Sequence, residues 1–346
     1  MKKYILLAVI LTFVIMAQAT IINVDNKANR PSGYLTNLQL AVTNASAGDT
    51  LYVYPSNISY GNINIKKQLY LFGSGYDGKI GTASKVDYFY LDTAATPSSN
   101  SSGTVIQGFT IERSVNCYKN NIKDIKITGN YFSYYGNNIN LYTDCSGWVI
   151  SNNYLSGDIN ISNNNTIVIT NNVFKGNSYG IRTSNSSSIV ISHNLFMNWG
   201  YLNNVQNATV SNNIFICNTG SYTGGTMNNN TFTNNISYCS NSSNSYTLPP
   251  TGNTGSGNLE NQNPLFVTGS LSNNYDDTKD YHLQSSSPAI NAASDGTDIG
   301  QYGGTEPFVW GKALTIPSVT EMFISNPIIN QGTDINVNIK AKKADL

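Results

Sequence analysis

The chain has 346 residues, of which only 11% are charged, and its formal net charge is +0. Without a basic surface it lacks the electrostatic footprint of nucleic-acid or anionic-membrane binding, so we expect no nucleic-acid partner. Its 23 tyrosines and 29 glycines, together with many serines and asparagines, disfavour long helices and favour strands and turns.

The first residues, MKKYILLAVILTFVIMAQA, combine two lysines, an apolar run and the small residues Ala17 and Ala19. This pattern predicts a secretory signal peptide, residues 1–19, cleaved after Ala19. A retained membrane anchor is the alternative, but the run is short for a bilayer span. We therefore expect an exported bacterial protein, extracellular or at the cell surface, monomeric and not inserted in a membrane after cleavage.

The next segment, YLTNLQLAVTNASAGDTLYVYP, predicts a short helix that stops at Gly48-Asp49 and is followed by an alternating strand. The apolar face of this helix is expected to consist of Leu35, Leu38, Val42 and Ala45. A repeat array needs its open end covered, which is the role that we expect for this helix.

One eight-residue pattern recurs along the middle of the chain, as IVITNNVF at 167, IVISHNLF at 189 and ATVSNNIF at 208. Its asparagines form a column with spacings of 19 to 23 residues: Asn130, Asn153, Asn172, Asn194, Asn213 and Asn235. A period near twenty residues is typical of a solenoid, in which each copy is one rung.

Two solenoids have this spacing of apolar residues and asparagine. A leucine-rich repeat uses leucine and a helical second half, whereas here the apolar positions are β-branched and the intervening text consists of turn formers. We therefore predict an all-β, right-handed parallel β-helix, in which the asparagines form a hydrogen-bonded ladder and adopt left-handed backbone angles.

Each rung carries a further alternating strand, read as INLY at 139, INIS at 159, GIRTS at 180 and YLNN at 201. This brings the count to three strands per rung. Its outward residues are expected to stack into one polar row.

The segment LQLAVTNASAGDTLYVYPSNISYGNINIKKQLYLFGSGYDG resembles the entry of secreted right-handed parallel β-helix proteins of the pectate-lyase-like superfamily. The segment YHLQSSSPAINAASDGTDIGQYGG, residues 281–304, resembles the last rung of bacterial members of Bacteroidetes type. These resemblances place the β-helix with its cap at residues 20–304 and a C-terminal β extension at 305–346. The resemblance implies acidic polysaccharide as the substrate class, although a fold alone does not determine function.

The catalytic patterns of the superfamily's polygalacturonases, methylesterases and lyases are absent from the rungs. Arg182 and Asp158 are the candidate catalytic residues, because a guanidinium can hold a carboxylate or, with a lowered pKa, abstract a proton. The alternative is a solvated surface arginine, whose truncation would change stability by less than about 1 kcal/mol. The candidate substrate-binding residues lie along and beside the row: Asn140, Tyr142, Asn160, Ser162, Ser184, Tyr201 and Asn203.

Metal and histidine sites receive little support. Asp144 and Asp158 are candidate calcium ligands, but scattered carboxylates are usually loop residues. The same applies to the acidic segment YDDTKDY at 275–281. For His193 and His282 the spacing implies no partner, and structural roles are expected.

Cys217 and Cys239 each lie four residues after a ladder asparagine, so they should be neighbours on adjacent rungs. Stacked positions about 4.8 Å apart fall within the Cα range of disulfides, and an exported chain meets an oxidising compartment. We predict a Cys217–Cys239 disulfide. For Cys117 and Cys145 the rung positions do not match.

Three functions remain open. The first is a carbohydrate-interacting β-helix whose partner is a polysaccharide or cell-surface glycan, with lyase or hydrolase activity on acidic glycans as one form. The second is a non-enzymatic adhesin or scaffold, favoured by the charge-poor face. The third, an ice-binding solenoid, requires a flat Thr-x-Thr array, which the repeats are not expected to supply.

Overall fold

The computed structural model describes residues 19–76, 83–95, 99–142, 144–162, 166–176, 179–184, 188–198, 201–217, 223–241, 247–271, 274–311, 318–324 and 337–342. Apart from Ala19, the predicted signal peptide lies outside these ranges. Within them, no helix is long and apolar enough to cross a membrane.

The described chain consists almost entirely of short strands. Those up to Cys117, with the helix, are β1 (Ile21–Val24), α1 (Leu38–Asn44), β2 (Thr50–Val53), β3 (Asn62–Ile65), β4 (Tyr70–Phe72), β5 (Ser84–Leu91), β6 (Val105–Gln107) and β7 (Phe109–Cys117). The central ones are β8 (Lys126–Thr128), β9 (Tyr131–Phe132), β10 (Asn137–Leu141), β11 (Ser146–Ser151), β12 (Tyr154–Leu155), β13 (Asp158–Ile161), β14 (Thr166–Thr170), β15 (Val173–Phe174), β16 (Gly180–Thr183), β17 (Ser188–Ser192), β18 (Leu195–Phe196) and β19 (Tyr201–Asn203). The last are β20 (Thr209–Ser211), β21 (Ile214–Cys217), β22 (Thr223–Gly224), β23 (Thr231–Thr233), β24 (Ile236–Cys239), β25 (Thr254–Ser256), β26 (Ser318–Ile324) and β27 (Val337–Lys342).

These strands form the predicted right-handed parallel β-helix. Sheet A has eleven strands in the order β1-β2-β4-β6-β8-β11-β14-β17-β20-β23-β25. Sheet B has fourteen strands in two series that meet at β7, which pairs with both β9 and β10. The first series is β3, β5, β7, β10, β13, β16, β19 and β22, and the second is β9, β12, β15, β18, β21 and β24. A complete rung therefore contains three strands, which confirms the sequence-based prediction.

The core consists of columns of identical or similar side chains stacked from rung to rung. The rings of Phe174 and Phe196 stack with centroids 4.5 Å apart, and those of Phe196 and Phe215 with centroids 4.9 Å apart. All three are buried, as are the isoleucines that precede the ladder asparagines. Stacked aromatic rings add to the stabilisation from burial, so the repeated phenylalanine strengthens the register between rungs.

The helix α1 packs against β1, β2 and β3 at the N-terminal end, as expected of a cap. Its N-cap residue, Asn37, accepts a hydrogen bond from the backbone N–H of Leu40 at 2.8 Å, which satisfies one otherwise unpaired donor of the first turn. Leu38 and Val42 are buried as predicted. The placement of Leu35 on this helix was wrong, because Leu35 precedes the helix and bridges Val24 instead.

The asparagine ladder is confirmed. Each side-chain amide Nδ2 donates to Oδ1 of the asparagine in the next rung, over distances of 3.0 or 3.1 Å, from Asn130 to Asn235. The chain continues to a seventh member, Asn258, which the sequence pattern did not identify. All six predicted members are fully buried, so every amide replaces water with a protein partner.

The left-handed backbone angles, however, belong to the residue before each ladder asparagine, which corrects the prediction. Positive φ values, between 51° and 67°, occur at Gly129, Asn152, Asn171, His193, Asn212, Asn234 and Gly257. Glycine and asparagine tolerate this region best, so the two adjacent asparagines of the motif have different tasks. The first makes the turn and the second makes the ladder.

The segment 264–311, here called the strap, runs back along the outside of the helix. Its buried residues, including Phe266, Tyr281 and Ile299, pack on the second series of sheet B through Tyr154 and Leu195. Within its described residues it adds no strand to either sheet, so the reading of 281–304 as a last rung was wrong. The packed region also continues past Gly304, since Phe308 and Trp310 belong to the same cluster.

Side chains of the turn-forming column hold the strap. The Nδ2 atom of Asn171 donates to the carbonyl oxygens of Gln301 and Gly303, at 3.0 and 2.8 Å. Asn152 and Asn234 also donate to carbonyl oxygens of the strap, whereas Asn212 donates to the hydroxyl of Ser294. Left-handed turns point these side chains outward, and the strap supplies their partners.

The C-terminal extension contains an antiparallel pair, β26 and β27.

The outer face of sheet A carries a short array of serine and threonine hydroxyls. Three consecutive strands each contribute two hydroxyl residues to this array, and the strands are in register: Thr209 and Ser211, Thr231 and Thr233, and Thr254 and Ser256. Val190 and Val168 replace threonine in the two preceding rungs, so the array ends after three rungs.

The cysteines were predicted correctly in register but not in bonding. Cys217 and Cys239 are paired neighbours on β21 and β24, yet all four cysteines are thiols in this structure. The sulfur atoms of Cys117 and Cys145, whose positions had not been expected to match, lie 3.6 Å apart and are buried. The turn before β11 brings them together.

Replacing Asn172 with leucine should lower the free energy of unfolding by about 1–3 kcal/mol, because the ladder partners on both sides lose buried hydrogen bonds. The Nδ2 atom of Asn172 donates hydrogen bonds to Ile150 O, Thr170 O and Asn194 Oδ1, and its Oδ1 atom accepts one from Nδ2 of Asn153. Urea unfolding measures this change. Asn120→Leu at an exposed turn is the control, and equal midpoints for the two variants would contradict the ladder's role.

Replacing Asn171 with glycine should loosen the strap while preserving the turn, because glycine tolerates the left-handed angle but cannot reach Gln301 or Gly303. Peptides covering 292–309 should exchange amide hydrogens about tenfold faster, as expected for the loss of roughly 1.4 kcal/mol. Exchange mass spectrometry checks this against Asn120→Gly. Unchanged exchange in the strap would show that these bonds do not hold it.

Candidate functional site

The outward residues of the first series of sheet B form the polar row expected from the sequence. In register along β7, β10, β13, β16 and β19 are Asn116, Asn140, Asn160, Arg182 and Asn203, here called the outer row. Alternation places their sequence neighbours, such as Ile139 and Ile161, in the core. The row is longer than expected at its N-terminal end, where Tyr90 pairs with Asn116 and Asn64 pairs with Tyr90.

The amides of the outer row are connected. Nδ2 of Asn140 donates to Oδ1 of Asn116 at 2.8 Å, and Nδ2 of Asn160 donates to Oδ1 of Asn140 at 3.0 Å. Asn116 is buried, whereas Asn140 and Asn160 are partly exposed. Each exposed amide offers further donor and acceptor capacity to a ligand, because its two hydrogens and two lone pairs are not all used along the row.

The structure brings Arg182 and Asp158 together as an ion pair between Nη2 and Oδ2. The same Nη2 atom donates to Oδ1 of Asn137 at 3.0 Å, and the guanidinium lies over the ring of Tyr179, 4.5 Å from its centroid. The side chain of Asp158 is only 2% exposed, and that of Arg182 is 34% exposed. The charge of Arg182 is thus offset by a carboxylate that solvent barely reaches.

This geometry gives the pair a structural role. A buried carboxylate needs a partner, since a single charge in the interior is costly. Asp158 is also too buried to contact an external ligand. The catalytic assignment of Arg182 and Asp158 stays a prediction, and it would require this pair to open.

A cavity of about 340 Å³ opens beside the pair. Its lining includes five of the predicted site residues, which the structure therefore brings together: Asn160, Ser162, Arg182, Ser184 and Asn203. Asn204, from the turn after β19, was not identified from the sequence and completes one wall. The volume of this cavity is at the lower end of the volumes typical of small-ligand pockets.

Tyr142 follows β10, in the rung before that of Ser162, and does not line this cavity. Its ring, 47% exposed, contacts that of Tyr118, 48% exposed, with centroids 5.1 Å apart and planes at 63°. Tyr88 and Tyr90 stack nearby, with centroids 5.5 Å apart. Burial raises the pKa of Tyr118, and the neighbouring Tyr90, Tyr142 and Tyr88 raise it further.

Sequence reasoning missed Tyr88, Tyr90 and Tyr118. The signal was present, since YFYL at 88–91 alternates outward and inward like the later strands, but those rungs lack the Asn-containing motif by which the copies were aligned. Tyr201 takes its predicted place opposite Gly180 in β16, but its side chain lies outside the described part of the structure.

The candidate calcium ligands do not assemble. In the described ranges, no three His, Cys, Asp or Glu side chains form a group that could hold a metal ion. Asp158 is paired with Arg182, and Asp144 lies in a left-handed turn. In the acidic segment, the hydroxyl of Thr278 donates to Asp276, which lowers the pKa of that carboxyl.

Both histidines have structural surroundings. Nε2 of His193 lies 3.1 Å from Oδ2 of Asp295 on the strap and 3.0 Å from Nδ2 of Asn212. His282 contacts Asp280 at 2.7 Å and stacks on Tyr302, with ring centroids 3.9 Å apart. These contacts agree with the expected structural roles.

No protein-family model matches this chain, and no curated protein matches its sequence.

Replacing Arg182 with alanine should destabilise the protein by about 2 kcal/mol, more than expected for a solvated arginine, because Asp158 would stay buried without its cation. The partial exposure of the guanidinium keeps this below the cost for a fully buried pair. Urea unfolding measures it. Adding Asp158→Asn should recover part of the loss, and a parent-like midpoint for the single variant would contradict the structural role.

Proposed function

We propose that this protein is a secreted β-helix of the pectate-lyase-like type that binds a glycan chain along the outer row without cleaving it. The observation that carries the proposal is a row of partly exposed amides in register on consecutive strands. A polar cavity lies beside its later rungs and a tyrosine cluster beside its earlier rungs. An extended polymer can contact such a row at each rung, about 4.8 Å apart.

The chemistry of the row supports sugar binding. Primary amides donate and accept hydrogen bonds, as hydroxyl groups do, and half-exposed tyrosines offer flat apolar surfaces to sugar rings. Specific small-ligand sites combine apolar walls with a few placed polar groups, and the row with its tyrosines has this character.

Binding is better supported than cleavage. Glycoside hydrolysis ordinarily needs two carboxyl groups flanking the scissile bond, one as acid and one as base or nucleophile. Asp158, at the start of β13, is the acidic residue beside the row that the sequence singled out, and it is buried against Arg182. A hydrolase acting on acidic polysaccharide is therefore less favoured, and a lyase with Arg182 as its base would require the ion pair with Asp158 to open.

Affinity gel electrophoresis against soluble polysaccharides tests the proposal. We expect retardation of the parent by at least one polymer, with no release of reducing ends or unsaturated sugars. Asn203→Ala, at the cavity wall, should weaken binding about tenfold, corresponding to roughly 1.4 kcal/mol of lost hydrogen bonding.

Thr231→Ala on the outer face of sheet A is the control and should bind like the parent. Absence of retardation by every polymer would favour the adhesin or scaffold alternative. Polymer cleavage by the parent, lost in Arg182→Ala, would overturn the non-catalytic assignment.

A further inference from the structure

The edge of sheet B at which the first strands end carries a group of side chains that the outer row does not include. Ile65, Leu91, Cys117 and Leu141 pair in register, and the backbone ladder continues one residue further. The N–H of Asp92 donates to Ile65 O at 2.9 Å, and that of Tyr142 donates to Cys117 O at 3.0 Å. Lys66, Asp92, Tyr118 and Tyr142 therefore leave the sheet in one column, with Lys119 next to Tyr118.

We propose that Tyr118 and Tyr142 form an aromatic subsite for one pyranose ring, and that Lys66 and Lys119 beside it bind an anionic substituent of that sugar, a carboxylate or a sulfate. This inference rests on the proposed glycan binding and places the anionic contact at Lys66 and Lys119 rather than at Arg182.

The two rings make an open corner. Their planes meet at 63°, and about half of each side chain is exposed. One ring can thus stack on the apolar face of a sugar while the other contacts its edge. Tyrosine needs little ordering on binding, because its side chain has only two rotatable torsions.

The backbone that carries this corner is held in place. The carbonyl oxygen of Lys119 faces the buried sulfur atoms of Cys117, at 3.3 Å, and Cys145, at 3.6 Å. Tyr118 lies between Cys117 and Lys119, so its position is defined before a ligand arrives, which reduces the entropy lost on binding.

Beside the corner, two positively charged side chains lie next to one negatively charged side chain. Nζ of Lys66 lies 4.0 Å and Nζ of Lys119 lies 3.8 Å from the same carboxylate, that of Asp92. Two cations thus share one anion, and both lysine side chains are about half exposed. Arg182, by contrast, pairs with the buried carboxylate of Asp158.

The carboxylate of Asp92 is also occupied by other donors. The backbone N–H of Thr93 donates to it at 2.7 Å and Nδ2 of Asn64 at 3.4 Å. The long, exposed ion pairs to the lysines are weak, so either ammonium group can turn to a ligand at little loss of stability. An incoming anion would balance the second positive charge of Lys66, Lys119 and Asp92 taken together.

The test is affinity electrophoresis with three probes: polygalacturonate, a sulfated galactan and a neutral galactan. Lys66→Ala/Lys119→Ala should weaken retention by an anionic polymer at least tenfold, reduce its dependence on salt, and leave neutral retention unchanged. Tyr118→Ala/Tyr142→Ala should weaken retention by every polymer that binds the parent. Loss confined to polygalacturonate identifies a carboxylate, and loss confined to the sulfated probe identifies a sulfate.

Matched controls are Lys279→Ala, an exposed lysine of the strap, and Tyr135→Ala, an exposed tyrosine outside the corner. Both should bind like the parent, and urea midpoints should be equal for all four variants. Equal losses for Lys279→Ala and the lysine pair would mean non-specific attraction and overturn the inference.

The inference and the proposed function fail separately. If no polymer retards the parent, glycan binding itself is wrong. If the parent binds and Asn203→Ala weakens it while the tyrosine and lysine pairs have no effect, the glycan binds along the row and the corner subsite is wrong.

Discussion

The chain of buried asparagine amides is the interaction on which the rest of this structure depends. Each link joins two rungs, and the six members from Asn130 to Asn235 are fully buried, so a missing partner would leave a polar group without compensation. A shift of one residue in any strand would both break a link and turn that strand's apolar residues outward. The ladder and the stacked phenylalanines therefore enforce the same register, and consistent local and global preferences are what give a sequence a single fold.

That register creates the two polar surfaces of the helix. On the turn side, the residue before each ladder asparagine takes a left-handed angle. In the five rungs where this residue is asparagine or histidine, the strap provides partners for its side chain. On the sheet side, the same stacking aligns Asn140, Asn160 and Arg182 into the outer row. One surface is closed by the chain itself and the other is left to solvent, which is why the second is the better candidate for binding.

Because few residues of the chain are charged, the charged side chains near the outer row determine which ligands the row can bind. Arg182 balances the buried Asp158 and is largely committed to the fold. At the tyrosine end, Lys66 and Lys119 share Asp92 and keep a surplus of positive charge near exposed rings. Arg182 stands out in the repeat, but it is already paired with a carboxylate. Lys66 and Lys119 are therefore the better candidates for binding an anionic ligand, because a sequence pattern does not show which charged side chains are already paired.

The sequence by itself determined the all-β solenoid, three strands per rung, the asparagine ladder, the inward columns and the outer row. These follow from local periodicity, because inward and outward positions alternate along a strand and equal positions stack. Tertiary structure alone decided the path of the strap, the pairing of Arg182 with Asp158, the approach of Cys117 to Cys145 and the tyrosine corner with its lysines. Some of these features join residues whose spacing along the chain differs from the repeat. The others lie in the early rungs, which lack the asparagine-containing motif. Such contacts depend on how turns of unequal length fold back, which no periodic pattern encodes.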